Sequence, residues 1–125
     1  MAERAREEER EERIQNEIVV DAYGPEEQAT GWYTYLYDTL AFPFLTRCVA
    51  RRAISPLQPG DEVQVVGMAP EEECRHEMFV TMPWERDTLA VPLSQLEVTH
   101  AEEAEEATRQ AVEVWRYWVE RGYEL

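Results

Sequence analysis

The sequence predicts an α+β domain: two N-terminal helices, a small four-stranded sheet and a C-terminal helix. Three observations predict it. Apolar residues recur at helical spacing before residue 42 and again after residue 99. Between those limits the spacing shifts toward alternation, broken by proline and glycine. Finally, 44% of the 125 residues are apolar and aromatics are plentiful, which suits a folded body with a buried core. Residues 1–13 read as a charged extension or helix start, and residues 14–125 as one acidic domain.

Residues 2–13 are dominated by Glu and Arg, several of them three or four residues apart, a spacing that weakly supports a solvated helix. Ile14, Ile18, Val19 and Ala22 then add an apolar stripe, ended by Gly24-Pro25. Pro25 starts the second helix, with Glu26 and Glu27 placed where the positive end of the helix dipole favours them. Trp32, Leu36 and Leu40 give that helix a core face, and Phe42-Pro43 closes it. The expected strands begin at Phe44, Glu62, Met78 and Leu89, with Arg86-Asp87 as the last turn and Pro92 at an edge or strand end. The sheet is expected to be mainly antiparallel and barrel-like. The last helix runs from Thr99 or His100 to Arg121 on an apolar stripe of Ala104, Ala107, Ala111, Val112, Trp115, Trp118 and Val119, and Gly122 stops it.

Charge limits the function classes. The net charge is −15, and all 12 basic residues are Arg. A surface this anionic repels phosphate backbones and acidic lipid headgroups, so no nucleic-acid and no membrane partner is expected. Cations and basic protein patches are attracted instead. No run of apolar residues is long enough to span a bilayer, and Met1–Glu9 has no apolar segment of the secretory kind. The expected compartment is the cytoplasm, with Cys48 and Cys74 reduced.

The acids are unevenly placed. Residues 1–17 hold seven acids and four Arg that can pair along a helix, and residues 18–60 hold four acids and three Arg. Residues 61–87 hold eight acids and two Arg, in loops of the expected sheet. Glu71, Glu72, Glu73 and Glu77 lie within one short connection. Crowded carboxylates repel one another, and a hard divalent cation relieves that: Ca²⁺ takes about six to eight oxygens in flexible geometry. From the residues alone, Pro70-Glu71-Glu72-Glu73 reads more readily as the start of a helical turn, where acids are favoured. Asp38 breaks a local rule, being an anion near a helix C-terminus. Glu27 sits roughly 16 Å from it along the axis, so the two cannot share an ion. The EF-hand pattern D-x-[DN]-x-[DN]-G-x₅-E is absent, so any calcium site is assembled from separate segments.

Other chemistry fits less well. Cys48, Cys74, His76 and His100 lack the paired spacing of structural zinc, and Cys48 reads as a core residue. Glu72 and Glu73 have no nucleophile, oxyanion donor or phosphate loop beside them, so the chain is not read as an enzyme.

The ordered segments Glu17–Tyr23, Glu26–Ala29, Gly31-Trp32-Tyr33, Phe42-Pro43-Phe44, Ser55-Pro56-Leu57, Gly67–Cys74, Val91–Leu96 and Tyr117-Trp118-Val119 resemble the CcbP-type calcium-binding proteins, small acidic bacterial proteins. The resemblance runs from about residue 14 onward. It implies a compact α/β fold, Ca²⁺ as the bound ion, and buffering or sensing of cytosolic Ca²⁺ without an EF-hand. Among the acids in the matching segments, Asp38, Glu71, Glu72, Glu73 and Glu77 are the expected ligands. Asp61, Glu62, Glu26 and Glu27 are held as possible additions. The alternative is an acidic interaction module whose carboxylates steer a basic protein partner.

Overall fold

Five-residue alternation sets the first strand: Phe44, Thr46 and Cys48 point inward and Leu45 and Arg47 outward along β1 (Phe44–Cys48). A computed structural model describes residues 2–20, 22–99, 105–123 and 125. β1 is the centre of a three-stranded antiparallel sheet, flanked by β2 (Glu62–Val65) and β6 (Leu96–Val98). A second antiparallel sheet places β4 (Phe79–Trp84) between β3 (Gly67–Met68) and β5 (Asp87–Pro92). The chain passes between the sheets at Val66, whose amide donates to the Thr81 carbonyl at 2.9 Å.

The expected single four-stranded barrel is therefore corrected to two three-stranded sheets with no closed barrel. All four expected strands exist. The two that escaped, β3 and β6, have two and three residues, too few to show a period. The last hairpin turns at Glu85-Arg86 rather than at Arg86-Asp87, because Asp87 already pairs with Trp84. Glu85 takes φ 53°, the left-handed conformation that two-residue hairpin loops require. Pro92 does end an outer strand, β5.

Helices complete the domain. α1 (Ala2–Arg13) runs into a single π turn, Ile14–Ile18, with the Val19 amide reaching back to the Ile14 carbonyl at 2.8 Å. Ile14 and Ile18 are thereby both buried. α2 (Pro25–Thr39) starts at a proline and buries Ala29, Trp32 and Leu36, as its spacing predicts. Gly31 lies where α2 crosses the π turn: a Cβ there would stand 2.3 Å from the Ile18 carbonyl oxygen. α3 (Glu106–Glu120) buries Ala111, Val112, Trp115 and Trp118, and also Thr108, Val114 and Tyr117. Ala107 is exposed, contrary to expectation, and Thr108 takes the inward place because its hydroxyl accepts the Ala41 amide at 2.9 Å. The helix starts at Glu106, and residues 100–104, with Ala104, lie outside those described. Gly122 follows at φ 85° as the expected stop.

Where α2 and α3 meet, Trp32 lies edge-on to Trp115 with centroids 4.9 Å apart, and Trp118 stacks on Trp115 at 5.4 Å. Such aromatic pairs contribute about 0.5–1.5 kcal/mol beyond their area.

The charged first helix does not simply pair with itself. Its Arg13 donates to Gln110 of α3 at 3.0 Å, and Glu11 accepts the hydroxyls of Tyr117 at 2.8 Å and Tyr123 at 3.0 Å. Burial first, then the Glu11 carboxylate, pushes the Tyr117 phenol from its ordinary 10.0 up to about 12. A raised phenol pKa means that the folded state holds the proton more tightly. That stabilisation is complete below pH 10 and is lost as pH climbs through about 12. Thermal melts across this window should show stability falling with pH, and Tyr117→Phe should remove that part of the slope.

Candidate metal site

The Pro70-Glu71-Glu72-Glu73 segment forms one 3-10 turn, Glu71–Glu73, between β3 and β4. It closes through the Glu73 amide to Pro70 and the Cys74 amide to Glu71, both at 2.9 Å. The helical-turn reading holds for the backbone, and Glu71, Glu72 and Glu73 stand exposed on it. Beneath them Cys74 is buried, its sulfur accepting the Phe79 amide at 3.4 Å. Burial, followed by the neighbouring glutamates, holds that thiol above its ordinary pKa, so it stays protonated.

α2 supplies the facing wall. Glu71 and Glu72 share a surface cleft of about 350 Å³ with Glu26, Ala29 and Thr30 of α2, and Cys74 and Arg75 complete the lining. The sequence offers Glu26 only as a possible addition, and no signal in it marks Thr30 or Tyr33 for the site. Tyr33 spans the two walls by donating its hydroxyl to the Ala69 carbonyl at 2.9 Å. Burial first, then Cys74 and Glu71, raises its phenol pKa above 10.0.

The other expected ligands lie elsewhere. Glu77 is gripped by Arg52 through two bonds of 2.6 and 2.8 Å and accepts the Ser94 hydroxyl at 3.1 Å. That bidentate pairing holds the Arg52 guanidinium above its ordinary pKa, through the bond to Glu77 first. Glu77 thus fastens the downstream end of the loop, and to reach a cation it must release Arg52. Glu73 is on the turn but does not line the cleft. Glu27 accepts the Tyr23 amide at 2.8 Å, tying the chain just before α2 to its first turn. Asp61 accepts the Gln58 amide at 2.8 Å, closing a tight turn, and Glu62 lies opposite Arg47 on the neighbouring strand.

Asp38 is exposed in the last turn of α2, which carries no basic residue. The dipole of a helix is negative there, and its final carbonyls lack helical partners. A carboxylate beside them adds to that negative pole, which favours a cation.

These donors are hard oxygens, and the Cys74 sulfur is buried beneath them against the Phe79 amide, so the exposed donor set fits Ca²⁺ rather than a soft metal. Among the described residues no three carboxylate, imidazole or thiolate groups stand close enough to form a ready-made cage. Water ligands and small side-chain movements must therefore complete any sphere. A second cleft, of about 290 Å³ between α1 and α3, is lined by Arg10, Arg13 and Arg109 beside Glu9 and Glu113, and its mixed charge gives a cation no advantage.

The described chain contains no helix long and apolar enough to cross a membrane. A family model described as calcium binding, Calci_bind_CcbP, matches residues 12–119. A solved structure of a calcium binding protein in the calcium-binding form is 38% identical, with a TM-score of 0.82 and 100% of each chain covered. The crystal structure of Anabaena CcbP is 39% identical, with a TM-score of 0.79 and 94% of each chain covered. No curated protein sequence matches the chain.

Proposed function

The chain belongs to the CcbP family of calcium-binding proteins, and from that premise we propose that it binds Ca²⁺ at two acidic places along α2. One is the cleft of Glu26, Glu71 and Glu72; the other is the C-terminal pole at Asp38. The observation that carries the reading is that three acidic residues from two elements, Glu26, Glu71 and Glu72, line one cleft. Their mutual repulsion is relieved when a divalent ion enters, and the exposed position leaves room for the waters that a six- to eight-oxygen sphere needs.

The role we infer is buffering or sensing of cytosolic Ca²⁺ without an EF-hand loop. Val20 and Tyr23, 56% and 89% exposed, lie near Glu26 and Glu27 at the start of α2. A sensor would present such a surface to a partner only in one ion state, whereas a buffer would leave it unchanged.

An ion that binds only the folded state stabilises it by mass action, by about 2.7 kcal/mol at a hundredfold excess over its Kd. Millimolar Ca²⁺ at near-physiological salt should therefore raise the melting temperature well above the rise given by equal Mg²⁺. Equal, small rises with both ions would reduce the acidic surface to nonspecific screening and refute the proposal.

A further inference from the structure

The acidic turn is held at three points. Downstream, Arg52 and Ser94 grip Glu77. In the middle, buried Cys74 ties it to Phe79. Upstream, Tyr33 donates its hydroxyl to the carbonyl of fully buried Ala69, two residues before Glu71. Of these groups only Tyr33 comes from α2, the helix that supplies Glu26 and Thr30 to the opposite wall. Tyr33 lies two helical turns beyond Glu26, hence on the same face, about 10 Å along the axis. Its ring is steadied by Tyr37, which stacks on it with centroids 6.0 Å apart and planes 26° from parallel.

We propose that Tyr33 is a positioning residue for calcium, its hydroxyl on the Ala69 carbonyl fixing the width of the cleft between Glu26 and the Glu71-Glu72 turn. This rests on the cleft being a Ca²⁺ site. The hydroxyl is committed to a backbone carbonyl, so Tyr33 acts through the carboxylates it spaces and not as a ligand. A cleft with no preformed cage depends on that spacing, because the ion must draw the two walls together against their own freedom. Groups that orient metal ligands typically change affinity by about ten- to a hundredfold when removed.

The test is calorimetric titration of Ca²⁺ into the wild-type chain, Tyr33→Phe and the double variant Glu71→Gln/Glu72→Gln, with amide hydrogen exchange on the first two. Tyr33→Phe should bind Ca²⁺ about tenfold more weakly. In Ca²⁺-free buffer its Glu73 and Cys74 amides should exchange faster than in the wild type, and saturating Ca²⁺ should restore their protection. A merely structural role would lower the melting temperature and leave the Kd unchanged. A wild-type Kd at the cleft site in Tyr33→Phe, with that site lost from the double variant and the Asp38 site kept, overturns the positioning role and leaves the cleft standing. A wild-type Kd in the double variant removes the cleft as a site, and the role of Tyr33 falls with it.

Discussion

Replacing Gly31 with Ala is expected to destabilise the protein by about 3 kcal/mol, at the upper end of what overpacking costs. Two effects oppose each other at this position. In an isolated helix the change would help, since Gly in a helix interior is less favourable than Ala by roughly 1 kcal/mol. In the folded chain the added Cβ would meet the Ile18 carbonyl oxygen at 2.3 Å, and the next atom, the Ile18 carbonyl carbon, at 3.4 Å. These are backbone atoms of the π turn, so no side chain can rotate away; α2 must lift from the end of the first helix. That movement would disturb Trp32, the residue after Gly31, which is fully buried against Trp115. The steric cost wins. A melting temperature lower by about 10 °C follows for a domain of this size. Gly24 is the internal control: a Cβ there meets nothing within 4 Å, so Gly24→Ala should stay within about 0.5 kcal/mol of the wild type. Equal behaviour of the two variants would show that the helix crossing does not depend on Gly31.

The double variant Glu71→Gln/Glu72→Gln should separate repulsion from ion binding by the signs of its effects. Without Ca²⁺, two adjacent exposed carboxylates repel each other and Glu26 across the cleft, so neutralising them should leave the melting temperature equal or slightly higher. With Ca²⁺ the order reverses. The wild-type chain gains about 2.7 kcal/mol at a hundredfold excess over its Kd, and the variant forfeits most of that gain. Glu26 is retained because it also serves the dipole at the start of α2, and removing it would mix two effects. Loss of stability without Ca²⁺ would show instead that these glutamates support the turn.

Much of the fold was legible because long amphipathic segments state their period. Trp32, Leu36 and Leu40 are buried as their spacing of four demands, and Pro25 and Gly122 bound the helices they were expected to bound. The division into two sheets was not legible. It depends on β3 and β6, which contain too few residues to alternate, and on the Val66 amide crossing to Thr81. Thr108 was missed for a related reason: pattern reading treats a hydroxyl as polar, and its burial depends on one bond to Ala41 that is distant in sequence. At the site, a run of glutamates drew attention to Glu71 and Glu72, but composition cannot tell an acid that faces a cleft from one committed to an arginine. Glu77 and Arg52 are 25 residues apart, so their pairing is a product of tertiary structure alone. Glu26 reaches the same cleft as Glu71 only because α2 packs across the turn, with Tyr33 fastening it there.

Calorimetric titration of Ca²⁺ and Mg²⁺ at near-physiological salt, on the wild-type chain, Glu71→Gln/Glu72→Gln and Asp38→Asn, tests the central claim most directly. Stoichiometric binding that prefers Ca²⁺, with each variant losing a distinct part of it, is the expected result. Weak binding of both ions alike, suppressed by salt and unchanged in either variant, would contradict calcium binding through these carboxylates.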